Sequence, residues 1–66
     1  MEKYNNDIIG KTVELIYMDD TQSPEPGTKG VIKSIDGIGQ IHVNWETGST
    51  LSLVPELDQF KILYPH

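Results

Sequence analysis

Hydrophobic and polar residues alternate most regularly between residues 41 and 53. Apolar residues occupy every second position from 41 to 45 and again from 51 to 53, on either side of a turn. A period of two with one apolar face is typical of a half-buried antiparallel strand pair. Residues 39–53 therefore predict a β-hairpin. Its turn is expected to be type I with a glycine bulge at Gly48, because Thr47 disfavours the positive φ of a type I′ turn.

Three further segments carry strand patterns. Residues 12–18 and 28–36 precede the hairpin, and residues 59–64 follow it. In the second of these segments Ile32 and Ile35 are three positions apart, which a regular strand would place on opposite faces. A bulge or strong bend near residues 33–34 is therefore expected, since it would bring both side chains to one face, and closure of a small barrel around this strand would also reconcile them.

The connections differ in length and composition. Residues 19–27 are filled by acidic residues, serine, proline and glycine, and predict a long loop that ends in a type II turn at Pro26-Gly27. The dipeptide Asp36-Gly37 predicts a tight turn before the hairpin. Pro55 has no N–H to donate to a ladder, so residues 54–58 predict a single 3₁₀ turn.

This order of elements predicts an all-β fold, a small five-stranded SH3-like barrel with one 3₁₀ turn before the last strand. Partial closure hides the backbone edges that a flat sheet of this length would expose. Residues 1–9 are expected to form an N-terminal arm, part of which Tyr4, Ile8 and Ile9 pin to the core, and residues 10–64 to form one barrel domain. Trp45 is expected at the margin of a core comprising Val13, Leu15, Ile32, Ile35, Ile41, Val43, Leu51, Leu53, Phe60 and Ile62.

Composition narrows the classes of function. The chain has 66 residues, no cysteine, no arginine and a formal net charge of -5. The acidic excess repels polyanions at long range, and arginine, the residue that grips phosphates and guanine edges in two places, is missing. No apolar run approaches the roughly 18 residues of a membrane span. A cytoplasmic location is expected, because residues 1–7 also lack the basic start and apolar core of a signal peptide, and the absence of cysteine is compatible with a reducing compartment.

Several short motifs together carry a family likeness. They are Gly10-x-x-Val13-x-Leu15, Gly27-Thr28-x-Gly30-x-Ile32 and Gly39-Gln40-Ile41-His42-Val43-x-Trp45-x-x-Gly48-Ser49. With them, residues 10–63 resemble the short bacterial and mobile-element proteins grouped as domain of unknown function 4314. The resemblance implies an SH3-like barrel and no established activity. It carries over no catalytic, cofactor-binding or metal-binding residue.

The chain offers little catalytic chemistry. A nucleophilic triad needs a base held beside a hydroxyl or thiol, and the histidines are His42 and the C-terminal His66. His42 alternates with the apolar residues of the hairpin, so it is expected to face solvent. Carboxylates in the long loop could hold Ca²⁺ or Mg²⁺ through oxygens, but their spacing is not that of an EF-hand. We therefore predict a protein that is not an enzyme and has no cofactor or metal.

The leading hypothesis is a module that binds a protein partner with a basic surface or peptide. In an SH3-like barrel the long loop and the 3₁₀ turn lie near one another, and acids beside an aromatic ring suit a basic segment. An acidic inhibitor that mimics nucleic acid, and weak direct nucleic-acid binding through Lys29, Lys33 and Lys61, remain as alternatives. Oligomeric state is not predicted. The candidate partner-binding residues are Tyr17, Asp19, Asp20, Glu25, Glu56 and Asp58.

Overall fold

A computed structural model of the chain describes residues 4–63. After a short 3₁₀ helix (Asn6–Ile8), the strands are β1 (Thr12–Tyr17), β2 (Lys29–Ile35), β3 (Ile41–Trp45) and β4 (Gln59–Leu63). They form an open, four-stranded antiparallel sheet in the order β3-β2-β1-β4. The all-β prediction is confirmed. Residues 1–3 of the predicted arm and Tyr64 of the predicted last strand lie outside the described residues.

The predicted bulge lies in β2. Ile32 pairs with Val43, but two residues later Ser34 pairs with His42, so the register shifts between them. Ile35 then pairs with Ile41. The extra residue turns the strand, and Ile35 therefore packs against the same core as Ile32.

The fourth of the five predicted strands, at residues 50–53, is reduced to a single bridge. Trp45 N–H donates to Ser49 O at 3.0 Å, and Ile41 and Leu53 exchange both backbone bonds, so the chain does fold back here as a hairpin. Between these two pairs, Leu51 N–H donates to Ser49 Oγ, and Leu51 O accepts from the Trp45 indole Nε1. The N–H and C=O groups of Leu51 are therefore hydrogen-bonded to side chains instead of to β3. As a result, the sheet has four strands rather than five within residues 4–63.

The 3₁₀ helix also lies elsewhere than predicted. It spans Asn6–Ile8, inside the predicted arm, and the Asn5 side chain caps it by accepting from Asp7 N–H. Residues 54–58 form a hydrogen-bonded turn instead, in which Val54 O accepts from the N–H of both Leu57 and Asp58 at 2.9 Å. The second of these bonds has α-helical spacing, which opens the turn beyond a 3₁₀ geometry.

Two predicted turns depend on glycine. Gly27 has a φ of 92°, and Thr28 N–H donates to Glu25 O, as a type II turn requires. Gly48 also has a φ of 92°, whereas no residue other than glycine has positive φ within residues 4–63. Thr47 therefore excludes type I′ geometry, and the type I turn with a glycine bulge is confirmed.

The core lies on one face of the sheet and is covered by the 3₁₀ helix and the loops. Six of the predicted core residues are almost completely buried, and Ile35, Leu51, Phe60 and Ile62 pack around them half-buried. Trp45, predicted at the margin, is instead buried at 3% exposure, because its indole N–H finds a backbone acceptor there. Ile8 and Met18 also join the core. Within residues 4–63 no helix is long and apolar enough to cross a membrane.

Candidate functional site

The sequence-predicted residues gather at one end of the sheet, where β1 ends and β4 begins. Tyr17 pairs with Gln59, so the turn at residues 54–58 leads directly into the partner of Tyr17. On the other side of β1, Leu15 O accepts from Gly27 N–H at 2.7 Å and brings back the far end of the long loop. We call this region the acidic end; it comprises Tyr17, Asp19, Asp20, Glu25, Glu56 and Asp58.

Three carboxylates of the acidic end have no partner within residues 4–63. Asp19, Glu25 and Glu56 are exposed, and their side chains accept no hydrogen bond and form no ion pair there. Glu25 lies in the turn that returns to β1 from the β2 side, and Glu56 lies in the turn that leads into β4. These exposed negative charges are available to an external cation.

The other two carboxylates serve local structure. Asp20 Oδ1 accepts from Gln22 N–H at 2.8 Å and closes a turn within the loop. Asp58 Oδ2 accepts from Val54 N–H at 2.8 Å and caps the turn that precedes β4. Both residues keep their charge at the acidic end, but replacing either one would also disturb the backbone beside it.

Apolar surface accompanies these charges. Tyr17 is 50% exposed and Leu57, in the turn before β4, is 75% exposed. Exposed large apolar side chains within a charged rim are typical of interaction surfaces. Leu57 was not among the predicted site residues; its place next to the acids Glu56 and Asp58 in the sequence was the available signal.

His42 lies on the face opposite Ile41 and Val43, as predicted, but hydrogen bonds hold its ring there instead of leaving it free in solvent. Its Nε2 lies 3.0 Å from Asp36 Oδ2 and its Nδ1 lies 2.9 Å from Ser52 Oγ, and its side chain is only 33% exposed. Since an ionised carboxylate can only accept, Nε2 carries the proton, and in the neutral ring Nδ1 accepts from the Ser52 hydroxyl. Asp36, His42 and Ser52 thus form a continuous hydrogen-bonded chain, the His42 network.

Asp36 anchors this network in the turn between β2 and β3. Its Oδ1 accepts from the N–H groups of Ile38 and Gln40, at 3.1 and 2.9 Å. Burial alone would raise the pKa of Asp36. The bonds from the Gln40 N–H, the His42 ring and the Ile38 N–H, with the charge of His42, outweigh it and lower the pKa below its ordinary value of 3.8. Asp36 is therefore held as a carboxylate by the turn that it closes.

The hydrogen bonds of the His42 network run from a serine to a histidine to an aspartate, as they do in a nucleophilic triad. A catalytic triad also needs particular groups around its serine. Such sites place backbone N–H groups beside the nucleophile to bind an oxyanion. Here the N–H groups that flank Ser52 are occupied, since Leu51 N–H donates to Ser49 Oγ and Leu53 N–H donates to Ile41 O. The network connects the turn at residues 36–40 with the return strand of the hairpin.

The hairpin pattern contained the signal for this network. A register that pairs Ile41 with Leu53 sets His42 beside Ser52 on the neighbouring position. Asp36 is harder to place, because the bulge in β2 decides which way the strand end turns towards His42. Alternation alone predicted the face of His42 but not the partners on that face.

The three lysines of the nucleic-acid alternative do not form a continuous patch. Glu14 pairs with Lys29 on β2 and with Lys61 on β4, so an acid lies between the two lysines on the outer face. Glu46 lies on the other side of Lys29, whose N–H it accepts through Oε2 at 3.1 Å. Lys33 lies at the bulge, separated from Lys29 by Val31. Acidic and apolar residues thus interrupt the positive charge.

Neither site contains a set of metal ligands. Within residues 4–63 no group of three or more histidine, cysteine, aspartate or glutamate side chains is placed to hold a metal ion.

Comparison with known proteins gives a family and no activity. A family model described as Domain of unknown function (DUF4314) matches residues 2–63. No curated protein matches the chain, and no solved structure matches it.

Proposed function

Because the chain belongs to the DUF4314 family, whose description names no activity, we propose from its own geometry that it is a non-enzymatic binding module. In this proposal the acidic end binds a basic surface or peptide of a partner protein. A cytoplasmic location is part of the proposal, since a chain without cysteine suits a reducing compartment.

The observation that carries the proposal is the set of unpaired carboxylates at the end of the sheet that exposes Tyr17. Asp19, Glu25 and Glu56 have no internal partner within residues 4–63, and their chain segments meet the end of β1 that carries the half-exposed Tyr17. A tyrosine ring can stack on a guanidinium or an ammonium group while the acids neutralise its charge. An arginine or lysine of the partner would therefore find both of its preferred contacts at this end.

The test replaces these three carboxylates with their neutral amides. We expect Asp19→Asn, Glu25→Gln, Glu56→Gln to weaken binding of a lysine-containing peptide about tenfold, because exposed pairs contribute roughly 0.2–1 kcal/mol each. The probe is a short synthetic peptide with lysines at one end followed by alternating valine and threonine. Its affinity is measured by isothermal titration calorimetry at low ionic strength.

A matched control separates the local surface from net charge. The variant Asp7→Asn, Glu46→Gln removes two charges from exposed positions outside the acidic end and is compared with Glu25→Gln, Glu56→Gln, which removes two from within it; the control variant should bind the peptide nearly as well as the unmodified protein. Equal loss of affinity in both variants would contradict the proposal, because attraction would then follow net charge alone. In pull-downs, Asp19→Asn, Asp20→Asn should also recover less of a basic partner.

An acidic inhibitor that mimics nucleic acid is the second candidate. The same unpaired carboxylates support it, but a net charge of -5 is modest for a mimic. Such an inhibitor would act on an enzyme of nucleic acid, and its effect would disappear at high salt as screening shortens the Debye length. Direct nucleic-acid binding is less well supported, since Glu14 and Glu46 interrupt the lysines.

We also propose that the sheet is a reduced SH3-like barrel. The bridge between Ile41 and Leu53 covers one edge of β3, and the chain then crosses to β4 at the opposite edge of the sheet. This path brings the long loop and the last turn to the same end, as it would in an SH3-like barrel. An experimental structure in which residues 50–53 pair with neither β3 nor another strand would contradict this description of the fold.

A further inference from the structure

β4 is the edge of the sheet that lacks a neighbour. The order β3-β2-β1-β4 leaves β3 and β4 outermost. β3 is bonded on its outer side to Ser49 and Leu53, whereas β4 has no backbone partner other than β1 within residues 4–63. An edge of this kind is a template for a further strand.

The hydrogen bonds of β1 show which groups of β4 face outwards. Leu15 N–H donates to Thr28 O and Leu15 O accepts from Gly27 N–H, so both of its backbone groups point away from β4. In an antiparallel pair, a residue opposite such a position points its own groups the other way. Phe60 pairs with Leu15, and Ile62 pairs with Val13 at the equivalent position. The N–H and C=O groups of Phe60 and Ile62 therefore face the open edge.

The side chains of β4 do not protect this edge fully. Natural edges are usually blunted by proline, bulges or lysine. Residues 59–63 contain no proline or glycine, and Lys61 is the one charged residue among them. Lys61 points to the outer face next to Glu14, so it discourages a positive charge directly opposite itself but leaves the backbone groups accessible.

The charge around β4 is asymmetric along its length. The strand begins at Gln59, immediately after Asp58 and close to Glu56, and Gln59 pairs with Tyr17 at the acidic end. On the inner side, the Tyr4 ring packs against Phe60 with centroids 5.6 Å apart and extends the apolar surface. The edge thus suits a strand that is apolar along its length and basic where it passes the acidic end.

We propose that the open edge of β4 binds an extended basic segment of a partner protein as an additional strand. This inference rests on the proposed function of the acidic end and names the form in which the partner binds. The main-chain groups of Phe60 and Ile62 supply affinity, and the carboxylates select lysine or arginine at one end of the segment.

Amide hydrogen exchange, followed residue by residue by NMR, tests the proposal. In the free protein, Phe60 and Ile62 should exchange faster than Lys61 and Leu63, whose positions alternate with theirs and bond to β1. Saturation with the lysine, valine and threonine peptide should slow Phe60 and Ile62 by about tenfold or more, the signature of new backbone hydrogen bonds. Two further versions of the peptide carry N-methyl groups at alternate residues, one at the odd positions and the other at the even positions. At least one of the two should fail to protect Phe60 and Ile62 from exchange.

The outcomes separate this inference from the proposed function. Binding that depends on Asp19, Glu25 and Glu56 but leaves exchange at Phe60 and Ile62 unchanged overturns the added strand and keeps the acidic end. Protection that survives neutralisation of those acids keeps the strand and overturns the acidic end. No binding at all contradicts both. Slow exchange at Phe60 and Ile62 in the free protein overturns the added strand, and so does exchange that slows with protein concentration, which indicates a second copy.

Discussion

The two ends of β2 carry carboxylates that are used in opposite ways. At the end that follows Ile35, Asp36 accepts two backbone N–H groups and the ring of His42. At the other end, beyond Lys29, Glu25 accepts nothing through its side chain within residues 4–63. One acid closes a turn and orients a histidine, while the other makes no internal bond and is the one that our proposal assigns to a partner. The number of internal bonds therefore separates these two carboxylates more clearly than their positions in loops.

One hydrophobic core supports both ends of β2. Val43 is completely buried, pairs with Ile32 and lies between His42 and the end of β3. Truncating a buried aliphatic side chain costs roughly 2–5 kcal/mol, which approaches the whole stability of a small domain. We expect Val43→Ala to leave no cooperatively folded protein at physiological temperature. A thermal melt followed by circular dichroism would then show no cooperative unfolding transition there.

A matched substitution on the outer face serves as its control. Val31→Ala makes the same change at a side chain that is 46% exposed, and it should lower the melting temperature only slightly. If Val43→Ala lost only a few degrees as well, the two ends would not share the core described here.

Gly30 gives the next largest effect, because it sets the distance between β2 and β3. A Cβ at this position would lie 2.6 Å from Val43 Cγ1 and 2.7 Å from the backbone oxygen of Asn44. Since the backbone must shift to accept it, Gly30→Ala should cost about 1–3 kcal/mol, measured by urea unfolding. Gly37→Ala is the control, because nothing lies within 4 Å of a Cβ there and its φ is not positive. Equal losses would mean that the strands do not approach closely at Gly30.

Much of this framework could be predicted from the sequence, for reasons that differ between elements. The bulge in β2 follows from Ile32 and Ile35 alone, since both apolar side chains need the core. The bonds of Leu51 could not be predicted, because an indole and a hydroxyl compete with the ladder only once Trp45 and Ser49 are placed in space. Periodicity predicts the face of the sheet on which a side chain lies. It does not predict which backbone N–H and C=O groups will be hydrogen-bonded to side chains.

The acidic end was predicted from composition and loop position, and the His42 network was missed. Composition and loop position are enough to identify acids that stay exposed, such as Glu25 and Glu56, because their exposure does not depend on an internal partner. A network of three side chains from separate segments depends on the register and the bulge together.

The pH dependence of stability sharpens the contrast between the two ends. Hydrogen bonds lower the pKa of Asp36 below 3.8, so the folded state favours its ionised form relative to the unfolded state. The resulting stabilisation is complete above the ordinary pKa and is lost as the pH falls through the lowered one. We expect Asp36→Asn to be less stable than the unmodified protein near neutrality, with the difference shrinking below pH 3.8. Urea unfolding across this range measures it, and a difference that grows on acidification would contradict the role given to Asp36.

The smallest effect on stability is expected at the acidic end, where it matters most to the comparison. Asp19, Glu25 and Glu56 make no internal bond within residues 4–63, so neutralising all three should change the free energy of unfolding at neutral pH by less than about 0.5 kcal/mol. Any change should be a slight increase in the free energy of unfolding, because neutralisation relieves repulsion among the acids of a chain whose net charge is -5. Urea unfolding of the triple variant beside Asp36→Asn measures the contrast directly. A clear loss of stability in the triple variant would mean that these carboxylates hold the fold, and their availability to a partner would no longer distinguish the two ends.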